Sequence, residues 1–153
     1  MLIRPLEDAD IPAAAALLRR AALAFILHES TPADAATFLA EQGEAALRGF
    51  VAAGYMYHVA VVDGALAGFV GMRGGSHVYG LYVDQRFQRR GIARRLWQTA
   101  RAAALAAAPD HPGVFTVNAS NYAVPLYEAL GFVRTAPMQV AIVRYNPMCY
   151  VPE

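Results

Sequence analysis

The chain has 153 residues, of which 57% are apolar and 16% are charged, and its formal net charge is +1. This composition argues against a disordered segment, and the near-neutral charge excludes a general nucleic-acid-binding footprint. The single cysteine, Cys149, excludes an intrachain disulfide, and the complete lack of lysine excludes lysine Schiff-base chemistry.

The first half of the chain predicts one strand followed by two helices. Residues 2–5 are typical of a strand, and Asp10 lies where it caps a helix whose apolar residues recur every seven positions. Thr31, followed by a proline and then an aspartate in the first turn, predicts the cap of a second helix. This helix is expected to end near residue 47 or 50, and Gly43 is the candidate for a break in it.

The second half alternates strands and helices. Asp63-Gly64 is a two-residue hairpin signal, and Gly131 is a natural helix terminator. Strands are predicted at residues 57–62, 65–72, 77–83, 114–117, 132–135 and 140–145, and helices at 91–107 and 122–130. The order βααβββαβαββ predicts an α/β (α+β) fold with a mixed, mostly antiparallel central sheet. The apolar tail, residues 147–152, is expected to close a binding site or to form a dimer contact.

One cytoplasmic domain over residues 1–153 is the expected organisation. No apolar run reaches the roughly 18 residues of a membrane span, and the N-terminal residues do not follow a signal-peptide layout. No cysteines and histidines have zinc-ligand spacing, so no metal is expected. The sequence therefore predicts a protein that acts without a metal, a membrane or a nucleic acid.

The most informative stretch is an apolar strand that runs into a polar loop and then into a helix at Gly91. A helix start exposes free N–H groups and the positive end of the helix dipole, which together suit a pyrophosphate. Glycine lets a phosphate approach the backbone without a Cβ clash, and Ala93 keeps the next position small. Three arginines are candidates for charge-assisted bonds, namely Arg89, Arg90 and Arg94. A solvated helix start, or an arginine patch for nucleic acid, is the alternative.

These residues resemble the acyl-CoA-binding segment of the GNAT superfamily of N-acetyltransferases. Gln88-Arg89-Arg90-Gly91-Ile92-Ala93 fits the family's loop Gln/Arg-x-x-Gly-x-Gly/Ala, and Leu81-Tyr82-Val83 fits its preceding strand. The resemblance implies a mixed sheet flanked by helices. It also implies that the loop amides hold the CoA pyrophosphate while the strand backbone pairs with the pantetheine arm.

A second segment resembles the same family about 30 residues further on. Leu126-Tyr127-Glu128-Ala129-Leu130-Gly131-Phe132 fits the family pattern Leu-Tyr-x-x-Leu-Gly-Phe, and Asn121 precedes it. The resemblance implies that Asn121 contacts the pantetheine amides and that Tyr127 is the general acid to the departing CoA thiolate. A core aromatic remains the alternative for Tyr127, and a helix N-cap remains the alternative for Asn121.

The implied reaction is direct transfer of acetyl from acetyl-CoA to a primary amine. The amine must be neutral to attack, so a base or a water route is needed, and the candidates are His28, Glu29, His58 and His77. His28, Glu29 and His77 are also candidates for contact with the amine. The backbone amide of Val83 or a neighbour is expected to polarise the thioester oxygen.

The sequence leaves the acceptor open. The first helices carry four acidic residues, Glu29, Asp34, Glu41 and Glu44. These residues could attract a cationic amine, and a solvated helix face explains them equally well. A homodimer is only a family-level expectation. A non-catalytic acyl-CoA-binding sensor is the main alternative function. A Rossmann-type nucleotide domain is disfavoured because the chain lacks Gly-x-Gly-x-x-Gly.

Overall fold

The computed structural model describes residues 1–152, so Glu153, the last residue of the predicted domain, lies outside the described part. The strands are Leu2–Pro5 (β1), Met56–Val62 (β2), Ala65–Arg73 (β3), His77–Val83 (β4), Phe115–Ala119 (β5), Val133–Arg134 (β6), Gln139–Val140 (β7) and Arg144–Tyr150 (β8). The α-helices are Ile11–Phe25 (α1), Pro32–Glu41 (α2), Glu44–Ala52 (α3), Ile92–Ala107 (α4) and Val124–Ala129 (α5). No helix in this described range is long and apolar enough to cross a membrane.

Seven strands follow one path through the sheet, in the order β1-β2-β3-β4-β5-β8-β6, and β7 pairs with β8 beside it. β4 and β5 are parallel, whereas the other neighbouring pairs are antiparallel. The β2–β3 turn places Asp63 and Gly64 at positive φ, as the hairpin signal requires. The mixed, mostly antiparallel sheet flanked by helices is therefore confirmed.

Successive side chains of the sheet face two different helical layers. On β2, Tyr57 and Val59 pack with α1 and α3, whereas Ala60 belongs to the core beneath α4. Trp97 of α4 is buried at the centre of the second layer. Its ring lies edge-on to three aromatic rings at centroid distances of 5.1, 5.0 and 5.3 Å, those of Phe115, Phe132 and Tyr150.

The helix predicted from residue 31 is two helices. Thr31 caps α2 by accepting a hydrogen bond from the Asp34 N–H at 3.1 Å, which confirms the predicted cap. The backbone of Gly43 is extended and forms the N-cap of α3, so the break at Gly43 is also confirmed. The chain consequently has one helix more than the predicted order.

The helix predicted over residues 122–130 is shorter than expected. Residues 121–123 form a turn in which the Ser120 carbonyl accepts the Ala123 N–H at 3.0 Å. Ala123 occupies the N-cap of α5, so the helix-cap alternative for Asn121 is wrong. Gly131 follows the helix with a φ of 101°, as expected of a terminator.

The last strand lies further along the chain than predicted. The single strand predicted at 140–145 is divided between two strands, because residues 141–143 form a bend between β7, which ends at Val140, and β8, which runs from Arg144 to Tyr150. β8 pairs with the whole of β5, and Met148 is buried in the core. Residues 147–150 therefore belong to the sheet and are not a free tail. Pro147 explains the error, because proline normally argues against an interior strand.

Pairing between β4 and β5 is confined to one end of the two strands. The register joins only His77 to Thr116 and Val78 to Val117. A bulge at Tyr79 follows, since Met72 pairs with Val78 while Gly71 pairs with Gly80. Beyond the bulge, β4 has no strand partner on its β5 side among residues 1–152. We call this opening between the two strands the seam.

Candidate functional site

The backbone of β4 offers unused hydrogen-bonding groups along the seam. The Asp84 N–H donates to the Ala67 carbonyl at 2.7 Å. Because alternate residues of an antiparallel strand hydrogen-bond to the same neighbour, this bond shows which residues of β4 bond to β3. Tyr82 then bonds to β3, while the backbone groups of Leu81 and Val83 point into the seam. The Gln88 side chain donates to the Val83 carbonyl at 3.3 Å, in agreement with this direction. An extended ligand can therefore pair with β4 as an additional strand.

The start of α4 exposes a group of free amides. Gly91 is the N-cap with a φ of 75°, and Arg89 also has a positive φ, of 66°. The N–H groups from Gln88 to Arg94 have no acceptor among residues 1–152, and the helix dipole adds positive charge there. A Cβ added at Gly91 meets no atom within 4 Å. The arrangement suits a phosphate-like anion.

The arginines of this loop have different partners. Arg94 donates to the Ala129 carbonyl at 2.9 Å, and the guanidinium carbon of Arg90 lies 5.4 Å from the Phe87 ring centroid. Arg89 is exposed. Arg89 is therefore the predicted loop arginine whose guanidinium has no protein partner in the described chain.

Asp84 anchors the loop at the end of β4. Its carboxylate lies 3.2 Å from the Arg86 guanidinium and 3.1 Å from that of Arg20. Hydrogen bonding from Arg86, opposed by burial, holds the pKa of Asp84 below its ordinary value. The loop is thus fixed at its first residue by an ionised carboxylate.

A cavity of about 520 Å³ lies beside β4 and the start of α4, and we call it the loop cavity. Most of the predicted cofactor-binding residues line it: Leu81, Tyr82, Val83, Gln88, Arg89, Gly91, Ile92, Ala93 and Arg94. Arg90 and Asn121 do not line it. Phe25 of α1 stacks on the exposed ring of Tyr122 at 4.2 Å, and both rings lie on its wall.

A second cavity of about 310 Å³ lies on the other side of the seam, beneath α1, α2 and α3, and we call it the helix cavity. Its wall includes Phe50, Tyr57 and Tyr79. Five residues line both cavities: Ile26, Leu81, Tyr82, Ser120 and Ala123. The two cavities therefore meet at the seam, where β4 exposes its free amides.

Tyr127 lies on the wall of the helix cavity and is 4% exposed. Its ring packs edge-on against Phe132 at 5.4 Å, so the core-aromatic interpretation describes the ring correctly. Burial, with a smaller contribution from Tyr82, raises the pKa of Tyr127 well above its ordinary value. The phenol therefore keeps its proton at neutral pH.

Asn121 is held by protein groups on both sides of its amide. Its nitrogen lies 3.0 and 3.2 Å from the two carboxylate oxygens of Glu29, and its oxygen accepts from Asn146 at 2.8 Å. Asn146 is fully buried and accepts from Arg134 at 2.7 Å. This chain of contacts ties the segment that follows α1 to β8. Sequence reasoning did not find Asn146 or Arg134, because no local pattern relates residues so far apart.

The four candidate bases have different environments. His28 is exposed and lines neither cavity, and Glu29 is bound by Asn121. His58 is buried, and its Nδ1 has no partner among the described residues. His77 begins β4 as predicted, lines the helix cavity and contacts the Thr116 hydroxyl at 2.8 Å. Burial and the nearby Arg73 lower the pKa of His77, so its ring is neutral at pH 7.

Three further residues of the helix cavity were not singled out as site residues from the sequence. Arg73 ends β3, Arg144 begins β8, and Gln42 follows α2 and donates to the Tyr79 hydroxyl at 3.3 Å. They come from three separate elements, and no spacing in the sequence relates them. Only the folded sheet brings them to one wall.

A family model described as an acetyltransferase (GNAT) domain matches residues 26–150. The chain belongs to the GNAT family of acetyltransferases. The resemblance of its two sequence segments to this family is thereby confirmed, and so is the acyltransferase class of enzyme. A search of the curated proteins finds no match.

Solved structures of GNAT proteins share the fold. The GCN5-related N-acetyltransferase from Rhodopseudomonas palustris has a TM-score of 0.78 and 22% identity, covering 99% of this chain and 95% of that one. The PaiA N-acetyltransferase from Thermoplasma acidophilum, in complex with coenzyme A, has a TM-score of 0.80 and 13% identity, covering 99% and 98%. The putative acetyltransferase yncA from Salmonella typhimurium, with acetyl-CoA, has 0.70 and 22%, covering 99% and 93%. At these identities the likeness establishes the fold alone.

Proposed function

We propose that this GNAT protein transfers the acetyl group of acetyl-CoA directly to a primary amine of a small molecule or peptide. The observation that carries the proposal is the meeting of the loop cavity and the helix cavity at the free amides of β4. The PaiA structure contains coenzyme A and the yncA structure contains acetyl-CoA, which supports acetyl-CoA as the cofactor. The free amides at the start of α4 support its place in the loop cavity. The amine then arrives from the helix cavity.

The loop and strand bind acetyl-CoA through their backbones in this proposal. The amides from Gln88 to Arg94 hold the pyrophosphate, with Arg89 as the added charge. Leu81 and Val83 pair with the pantetheine arm, and the Val83 amide or a neighbour donates to the thioester oxygen. Asn121 is proposed to reach the arm only after it releases Glu29, because its amide is occupied.

The chemical step makes a C–N bond and breaks a C–S bond. The neutral amine attacks the thioester carbonyl carbon, the acetyl group passes to nitrogen, and the electron pair of the broken bond goes to sulfur. Tyr127 donates a hydrogen bond and then its proton to the departing thiolate, and a proton from water restores the phenol, because burial disfavours the phenolate. The new amide nitrogen loses one proton to water.

His77 is the proposed end of the water route that accepts this proton. Its lowered pKa keeps it neutral, and of the four candidates His77 is the one that lines the helix cavity. However, it lies four residues from Leu81, which is about 13 Å along the strand. Direct contact with an amine at the seam is therefore excluded, and water must connect the two.

The proposal is tested by incubating the protein with acetyl-CoA and a panel of primary amines, and by measuring acetylated products by mass spectrometry. We expect at least one amine to be acetylated with release of one CoA thiol per product. Acetyl-CoA binding without product from any amine would contradict the proposal and favour a non-catalytic acyl-CoA-binding sensor instead.

A further inference from the structure

The wall of the helix cavity carries more positive than negative charge. Its charged residues are Arg73, Arg144 and Glu41. Neither arginine lies within ion-pair distance of a carboxylate in residues 1–152. The other acidic residues of the first helices, Glu29, Asp34 and Glu44, do not line the cavity. The charge available to a bound acceptor is therefore two free guanidinium groups against one carboxylate.

Arg73 is held against the cavity wall. Its guanidinium carbon lies 5.8 Å from the Tyr79 ring centroid, and its strand position is opposite His77. Tyr79 is itself fixed by Phe50 and Tyr55, with ring centroids at 5.0 and 5.2 Å. The charge of Arg73 also acts on His77, which lines the same cavity. Although Arg73 is an exposed residue, its guanidinium therefore lies over an aromatic ring of the cavity wall.

The rest of the wall is largely apolar and aromatic. Phe38 and Leu47 come from the helices, while Phe69 comes from the sheet. At about 310 Å³, the cavity is at the lower end of the range for small-molecule sites. These dimensions fit an acceptor of about the size of an amino acid, with an apolar portion as well as a charge.

We propose that the acceptor is a small primary amine that also carries a carboxylate, and that Arg73 binds this carboxylate. The proposal rests on the function proposed above. Guanidinium groups bind carboxylates through two parallel charge-assisted hydrogen bonds, which makes arginine well suited to this role. Nearby positive charge also favours the neutral form of an amine, which is the form that attacks. The helix cavity therefore selects for a negative group on the acceptor and not for a polycation.

The test uses matched pairs of amines. Phenylalanine and lysine are compared with their carboxamides, and 2-aminoethyl phosphate is compared with 2-aminoethanol. The proteins are wild type, Arg73→Met and Arg19→Met, the last because Arg19 is exposed and lines neither cavity. Two quantities are measured: kcat/KM for acetyl transfer, and binding of each amine to the protein in the presence of CoA, which lacks the acetyl group.

In wild type we expect the carboxylate to exceed its carboxamide at least tenfold, in kcat/KM or in binding affinity. In Arg73→Met this carboxylate-to-carboxamide ratio should fall below threefold. Arg19→Met should leave the ratio unchanged. Four results would overturn the carboxylate assignment. They are equal values for the carboxylate and its carboxamide, binding of neither form, a carboxylate-to-carboxamide ratio unchanged in Arg73→Met, and a larger ratio for the phosphate pair than for the carboxylate pairs. Carboxylate binding that depends on Arg73 without any acetylated product would support the assignment and contradict the proposed transfer.

Discussion

The loop cavity and the helix cavity obtain their polar groups in different ways. The loop cavity takes them from the backbone of one continuous stretch, residues 81–94, where Gly91 permits the required turn. The helix cavity takes them from side chains of separate elements, among them Arg73, Tyr127 and Arg144. In the proposed function, backbone amides bind the constant part of a thioester cofactor, whereas side chains bind a particular acceptor. On that proposal, residues close together in the chain recognise the cofactor, and residues far apart in the chain recognise the acceptor.

The largest kinetic effect is expected from Tyr127→Phe in the helix cavity. In the proposed mechanism the substitution removes the proton donor to sulfur, so kcat should fall about 100-fold, the lower end of the range for a general acid. The dissociation constant for acetyl-CoA should stay within twofold, because the loop cavity is unchanged. Steady-state kinetics and a binding titration measure the two quantities.

Tyr122→Phe is the matched control, because Tyr122 is 52% exposed and lies in the loop cavity. It should leave kcat within threefold. If both variants retain the kcat of the wild type, Tyr127 is not the acid, and the helix cavity does not supply the proton to sulfur.

A smaller effect, on stability, is expected from Asn146→Ala. Asn146 donates to the Ala119 carbonyl at 3.1 Å and to Asn121, and it accepts from Arg134. Its removal leaves buried polar groups without partners, which should lower the free energy of unfolding by about 2 kcal/mol. Urea denaturation measures the change.

Asn118→Ala is the control for this prediction, since Asn118 is exposed on β5 and makes no side-chain hydrogen bond in the described chain. Its effect should be within about 0.5 kcal/mol. An equal loss of stability in both variants would mean that the contacts from Glu29 to Arg134 do not stabilise the helix-cavity side.

The sequence predicted the loop side well, because its information is local. The strand, the glycine turn and the start of α4 are adjacent in the chain, and the structure has them at residues 77–92. The hairpin at Asp63 and the break at Gly43 were predicted for the same reason: each depends on one or two residues with strong backbone preferences. Helix ends and turns of this kind can be recognised without knowledge of the tertiary structure.

The helix-cavity side could not be predicted as fully, because its contacts join distant residues. Glu29 and Asn121 are 92 positions apart, and Arg134 on β6 donates to Asn146 on the neighbouring strand β8. The position of β8 also depends on its pairing with β5, which overrides the unfavourable preference of Pro147 for a strand. Sequence patterns therefore left open whether the acidic helix residues contact a cationic amine or form a solvated helix face. Of these residues, Glu41 lines the cavity.

The most direct test of the account is isothermal titration of acetyl-CoA into wild type, Gly91→Glu and Gly64→Glu. Both glycines have positive φ and open space around a Cβ, but Gly64 lies in the β2–β3 hairpin, away from the loop cavity. The account predicts binding by wild type and by Gly64→Glu, and at least a 100-fold weaker affinity for Gly91→Glu, because a carboxylate would face the pyrophosphate. Equal binding by Gly91→Glu and Gly64→Glu, or no binding by folded wild type, would contradict the placement of the cofactor at the start of α4.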